Sequence, residues 1–338
     1  MKPTAVAWIA SLGAPLVLAV FVFTAYRGPM RTPGGVVRLR AGIGARGVAE
    51  ELAVTGIVSH PRLFLLFARL EKVDRHLRAG RYAIPPNPSI ESLLALLREG
   101  PNVRERVTIP EGSRDDQIAG VLARTAGVDS TEFLRIVRDG ASPPRYGVPG
   151  PTLEGYLFPE TYEFPWGTPG AEVASFLIVQ YHKVMIPAFR ARAESLGIAE
   201  QDVVTLASII EAETSLPEER PRVSAVYHNR LRAGWNLEAD PTVRYATGND
   251  SGQITAGQLE WDSPYNTYRY PGLPPGPIGN PGEASLIAAL FPQEGCEDFF
   301  FVANGEGGHT FSKTAEEHSR AVAALRRREV ARRQPGHS

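Results

Sequence analysis

The chain has 338 residues, 22% of them charged, and a formal net charge of -1, which leaves no global electrostatic attraction to nucleic acid. Its single cysteine, Cys296, excludes an intramolecular disulfide and a cysteine-built metal site. The seven histidines form no HxxxH or HExxH pair, so no metal and no other cofactor is expected.

Residues Pro3 to Tyr26 carry no charged side chain. As a helix this stretch would be about 36 Å long, against a hydrocarbon core of about 30 Å. The pattern predicts a transmembrane helix over 4–26, a cytoplasmic N-terminus at 1–3 and a Pro/Gly linker at 27–35. A cleaved signal peptide fits less well, because only Lys2 precedes the apolar run and no A-x-A site follows it. Arg27, Arg31, Arg38 and Arg40 follow the span, so charge counting alone would keep the bulk of the chain in the cytoplasm. Large domains, however, translocate largely regardless of charge.

A repeat comes next. Gly42, Val48, Ala49, Leu52, Ala53 and Thr55 recur as Gly112, Ile118, Ala119, Leu122, Ala123 and Thr125, each 70 residues on. Each copy opens with a short alternating strand (Val36–Leu39, Arg106–Pro110), turns at glycine and enters a helix with apolar residues three and four apart. Second helices are expected at Pro61–Leu70 and Ser130–Val137, and another at Ser89–Arg98. Two such units suggest a small α+β module over residues 36–145.

From Thr152 the character changes, and a second domain is expected over 146–330, with a tail at 331–338. Glu154-Gly155-Tyr156-Leu157-Phe158-Pro159-Glu160 is acidic and aromatic together. Helices are expected at Pro169–Leu196, over the apolar run from Asp202, at Glu218–Arg232 and at Gly282–Leu290. Residues 234–281 read as loop and short strand, Phe299–Ala303 as a buried strand, and Thr314–Arg333 as a charged helix.

The apolar run ends in Glu211-Ala212-Glu213-Thr214. A carboxylate at a helix C-terminus faces an unfavourable dipole, and partial burial raises its pKa toward the range useful for proton transfer at neutral pH. Both glutamates border the apolar face, so periodicity does not choose between them.

Seven collinear segments resemble the YceG-like endolytic murein transglycosylase family: Glu154–Pro159, Ala207–Thr214, Val226–Leu231, Asp240–Tyr245, Tyr265–Tyr268, Gly272–Ile278 and Gly307–Phe311. The resemblance implies an α+β architecture of N-terminal transmembrane helix, small LysM-like α+β module and mixed α+β catalytic domain. It also implies a single-pass inner-membrane protein with its catalytic domain outside the cytoplasm, cleaving MurNAc–GlcNAc β-1,4 bonds in nascent glycan strands to leave 1,6-anhydro-MurNAc ends. The implied partners are glycan strands, the inner membrane, and peptidoglycan synthases or division proteins. The family's catalytic glutamate, the second of the Glu-x-Glu-Thr pair, falls on Glu213.

Such a reaction needs one carboxylate, because the sugar's own C6 hydroxyl is the nucleophile. A hydrolytic muramidase would need a second, about 5–5.5 Å away as nucleophile or about 6.5–9.5 Å away as base. Asp240 could serve there, or simply cap a turn. A scaffold that binds glycan without cutting it would use the same cleft without depending on Glu213. Glu211 is expected to orient the site or tune Glu213. Glu160 is expected in the cleft wall, and Asn229 and Asn266 at sugar acetamido or hydroxyl groups, or between loops. Tyr156, Tyr245, Tyr265 and Tyr268 suit sugar stacking, or core packing. His309 is expected at substrate or in local turn support.

Overall fold

A computed structural model describes residues 17, 20–40, 42–249 and 253–333. They form two compact units. Of these described residues, the first unit takes those up to 107, 123–128 and 162–168, and the second takes 108–122, 129–161 and those from 169 on.

The expected membrane span is corrected here. Among the described residues no helix is long and apolar enough to cross a membrane, which removes the basis for a single-pass inner-membrane placement. Most of the proposed 4–26 span lies outside the described residues, and helical residues 17 and 20–26 are its described part. The end of that stretch folds onto protein. Tyr26 packs against Phe67 at 4.7 Å between ring centroids and donates its hydroxyl to the Glu71 carboxylate.

In the first unit, strand β1 (Gly35–Leu39) pairs antiparallel with β2 (Gly80–Ile84), Gly35 opposite Ile84. Alternation sends Val37, Leu39, Tyr82 and Ile84 inward. Helix α1 (Ala45–Val54) covers them with Val48, Ala49 and Leu52. Helix α2 (Pro61–Leu70) starts on a proline, which suits a position whose N–H has no helical partner, and buries Phe64, Phe67 and Ala68. Helix α3 (Ile90–Glu99) adds Ile90, Leu93, Leu94 and Leu97. Its start is a reciprocal capping box. Ser89 Oγ accepts from the Ser92 N–H, and Ser92 Oγ accepts from the Ser89 N–H. Strands β3 (Arg104–Thr108) and β4 (Thr161–Pro165) form a second two-stranded sheet.

The second unit is mostly helical: α4 (Asp115–Ala126, whose last turn groups with the first unit), α5 (Ser130–Arg138), α6 (Ser142–Tyr146), α7 (Gly170–Val184), α8 (Pro187–Leu196) and α9 (Glu200–Glu213). There follow α10 (Arg220–Ala233), α11 (Asp240–Thr247), α12 (Ala256–Leu259), α13 (Glu283–Leu290) and α14 (Ala315–Arg333). Strands β5 (Phe300–Ala303) and β6 (His309–Ser312) pair antiparallel between α13 and α14. Helix α9 is buried on every side from Val203 to Ile210 and packs against α8, α10, α11 and α13. A helix that is apolar around its circumference belongs at the centre of a helical layer. It carries the Glu211–Glu213 pair out of the core at its C-terminal end.

Three expectations change. The single helix expected over Pro169–Leu196 is broken between Val184 and Pro187, because a proline inside a helix has no N–H to donate and clashes with the preceding turn. The stretch expected to be loop contains α11, which begins on Asp240-Pro241. Strand β5 is half-buried rather than buried, with one neighbouring strand.

Candidate active site

A cleft of about 410 Å³ opens at the C-terminal end of α9, within the second unit. Glu213 lines it together with Asp240, Arg244 and Tyr245 of α11, with Gly112 and Arg114 from the turn into α4, and with Gln117 in the first turn of α4.

Glu213 is half-buried, open to the cleft and enclosed by protein elsewhere. Burial pushes its carboxyl from 4.5 up to about 7. Tyr227 opposes this by donating its hydroxyl to Glu213 Oε1 at 3.0 Å, and the negative charge of Asp240 adds to the rise, while Arg230 and Arg244 oppose it. Tyr227 is buried on α10, its ring edge-on to Phe301, and its own pKa lies well above 10 through burial and the nearby Glu213. It therefore stays a donor. The other carboxylate oxygen of Glu213 takes no hydrogen bond from the described residues. The carboxyl populates both protonation states near neutrality and has one oxygen unengaged beside the cleft.

Glu211 has the opposite environment. Its Oε1 pairs with Arg220 Nη2 at 2.8 Å, and its Oε2 accepts the Gly282 N–H at 3.1 Å. Both side chains of the pair are buried. Glu211 thus ties the end of α9 to the start of α10 and the N-cap of α13, and it does not line the cleft.

Asp240 is the first residue of α11 and accepts the Tyr268 hydroxyl at 2.7 Å. Tyr245 donates to Glu154 Oε2 at 2.5 Å, and its ring lies 4.8 Å from that of Tyr265. Glu154 is buried, which together with the neighbouring Asp115 charge raises its carboxyl to about 7. Glu213, Asp240 and Tyr245 line the cleft, while Tyr268 and Tyr265 lie behind Asp240 and Tyr245, in contact with them.

The remaining candidates lie off it. Asn229 gives both amide protons to backbone carbonyls, Cys296 O at 3.0 Å and Asp298 O at 2.9 Å. Asn266 is fully buried and does the same to Leu259 O and Trp261 O. His309 Nδ1 sits 2.7 Å from Glu219 Oε2, and its backbone N–H donates to the other Glu219 oxygen. Tyr156 is buried edge-on against Tyr181. Glu160 is exposed and accepts the Thr161 N–H. In these positions the asparagines and His309 hold loops, and Tyr156 fills core.

Asn280, which the sequence did not single out, braces the segments around the cleft. Asn280 is fully buried; its Oδ1 accepts the Gly155 and Leu157 N–H groups at 2.8 and 2.9 Å, and its Nδ2 donates to Ser113 O at 2.9 Å. One side chain joins the 154–159 segment, the Gly112-Ser113 turn and the loop before α13. Gly112 has φ +74°, and a Cβ there would come to 3.4 Å from Glu211 Cγ. Gly155 has φ +91°, and a Cβ there would meet Pro277 at 2.4 Å. Both positions require glycine for conformation, and Gly155 also for space.

The fold and this cleft place the chain among helix-rich α+β proteins with a cleft-lining glutamate at the end of a central helix. Residues 37–324 match the YceG-like family, and the chain belongs to that family. It is 27% identical over 303 residues to an endolytic murein transglycosylase of Bacillus subtilis, covering 84% of this chain and 83% of that one. It is 28% identical to the endolytic murein transglycosylase of Streptococcus pneumoniae D39, across 85% of this chain but 57% of that longer protein. A 2.6 Å crystal structure of a yceG-like protein from Listeria monocytogenes superposes with a TM-score of 0.58 at 30% identity, covering 84% of this chain and 98% of that one.

Proposed function

We propose that this chain cuts the MurNAc–GlcNAc β-1,4 bond within nascent peptidoglycan strands, with Glu213 as the single acid and base. Its enzyme class is lytic transglycosylase, the class of its curated relatives. The observation that carries the residue assignment is the contrast within the pair. Glu211 is neutralised by a buried arginine, whereas Glu213 faces the cleft with its carboxyl at about 7.

Protonated Glu213 gives its proton to the leaving glycosidic oxygen as the C1–O bond breaks, and becomes a carboxylate. That carboxylate takes the proton from the C6 hydroxyl of the muramyl residue as its oxygen bonds to C1. The product is a 1,6-anhydro ring, and Glu213 ends protonated as it began. Tyr227 holds the carboxyl in place through both states. Tyr245 and Tyr265 offer aromatic faces for sugar rings. Residues 36–145 correspond to the LysM-like module and position the strand, while 146–330 carry the chemistry, with Gly112, Arg114 and Gln117 of the earlier stretch added to the cleft. The family likeness brings peptidoglycan synthases or division proteins as partners.

Two variants test the assignment. Glu213→Gln keeps the volume but cannot shuttle a proton, so turnover of glycan strands should fall by about 10²–10⁴-fold. Glu211→Gln should retain substantial turnover when folded. The reverse ranking would move the chemistry to Glu211, and full activity in both would favour a different catalytic group.

A further inference from the structure

The cleft is lined by two arginines, Arg114 and Arg244, as well as by the carboxyl groups of Glu213 and Asp240. Hydroxyl and acetamido groups are well served by neutral partners such as Gln117 and by the aromatic face of Tyr245, both of which line it. Arg244 also lines it, projecting from α11 one turn beyond Asp240. The Arg244 guanidinium forms no hydrogen bond or ion pair with any described side chain, although Asp240 and Glu213 share the cleft. Buried and half-buried arginines elsewhere in this unit are paired: Arg220 with Glu211, Arg190 with Glu200, Arg222 with Asp298, and Arg230 with Glu238 and backbone carbonyls. A half-buried arginine with no hydrogen-bonded carboxylate, lining a cleft, is a planar donor open to an acceptor.

We propose that Arg244 is an anion subsite, binding a carboxylate carried on the 3-O-lactyl substituent of the muramyl residue. This rests on the glycan-cleaving reading above. In an intact strand the lactyl group is amidated by the stem peptide, so the carboxylates available are those of the peptide. In a strand stripped of peptide the lactyl carboxylate itself is free. Either would meet the guanidinium in a charge-assisted, two-pronged contact of the kind arginine favours. A neutral acetamido carbonyl is the competing ligand, and it is present on every strand regardless of peptide. Arg244 also lowers the pKa of Glu213, but tuning alone would not make binding depend on the charge of the substrate.

The test measures binding, separately from chemistry, in the Glu213→Gln background, which leaves strands uncut. The probes are fluorescently labelled uncrosslinked peptidoglycan strands, the same strands with their carboxylates converted to methylamides, and strands stripped of peptide by an amidase. Unmodified strands should bind about ten-fold more tightly than methylamidated ones, from one charged hydrogen-bonded contact. Adding Arg244→Gln should erase that difference, and Arg244→Lys should keep part of it. Arg244 dependence that persists on stripped strands shows that the subsite also accepts the freed lactyl carboxylate, and dependence lost there confines it to the carboxylates of the peptide. Equal affinity for unmodified and methylamidated strands, or an unchanged preference in Arg244→Gln, overturns the subsite. Product analysis of the unsubstituted enzyme reads the cleavage chemistry independently, so either conclusion can fail without the other.

Discussion

The Tyr227 hydroxyl lies 3.0 Å from Glu213 Oε1, joining the middle of α10 to the last residue of α9. This bond favours the charged carboxylate, against burial, which favours the neutral acid. The balance places the carboxyl at about 7, where one group can serve as acid and then as base.

Removing that bond should shift the pH profile in a defined direction. In Tyr227→Phe the largest interaction opposing burial is lost and only Arg230 and Arg244 still oppose it, so the pKa of Glu213 rises. The acid form survives to higher pH, and the alkaline limb of the kcat/KM profile moves up. A limb that moves down, or stays put, would mean that another group sets it.

Asp240 should act oppositely. Its negative charge raises the Glu213 pKa, so Asp240→Asn lowers it and brings the alkaline limb to lower pH. Activity should survive at acidic pH. If Asp240→Asn abolishes cleavage at every pH in a folded protein, Asp240 is a second catalytic carboxylate and the muramidase mechanism is the better account.

Stability carries the same signature. The folded Glu213 carboxyl titrates at about 7 against an ordinary 4.5. Between those values the folded state holds a proton that the unfolded chain has released, so Glu213 makes stability fall as pH rises through this window and stay reduced above it. Glu213→Gln removes that contribution. It should match the unsubstituted protein near pH 4 and exceed it at pH 8, by at most about 3 kcal/mol. Urea denaturation at the two pH values measures the difference, and equal gains at both would contradict a raised pKa.

Glu211→Ala should be costly for a different reason. It leaves Arg220 buried without its nearest carboxylate, with Glu111 the next at 3.6 Å. Breaking a buried pair from one side typically costs about 3–5 kcal/mol. Asn280→Ala should cost at least about 3 kcal/mol, because it strands two buried N–H groups and a carbonyl. Chemical denaturation checks both, and a loss under about 1 kcal/mol in either would show that water or relaxation replaces these bonds.

Elements with a local code were legible in the sequence. Helix α2 is bounded by Pro61 at its start and carries apolar residues at helical spacing, and its predicted limits match the structure. Helix α3, expected at Ser89–Arg98, runs Ile90–Glu99 with Ser89 as its cap. Helix α11 was hidden because its start, Asp240-Pro241-Thr242-Val243, combines turn-forming and β-branched residues whose helical state depends on burial of Pro241, Thr242 and Val243. Glu211 and Glu213 could not be separated on a helical wheel, since both border the apolar face. What separates them is Arg220 and Tyr227, on the following helix. Asn280 gave no signal because its role comes from contacts far apart in sequence. Asn280 sits in a Gly/Pro-rich stretch without periodicity and acts on residues more than 120 positions away.

The central claim is that the C6 hydroxyl, not water, attacks the sugar, with Glu213 handling both protons. Mass analysis of glycan fragments released from uncrosslinked strands by the unsubstituted enzyme tests it most directly. The account predicts 1,6-anhydro-muramyl ends, each lighter by one water than a hydrolysed end. Reducing muramyl ends of full mass would contradict it.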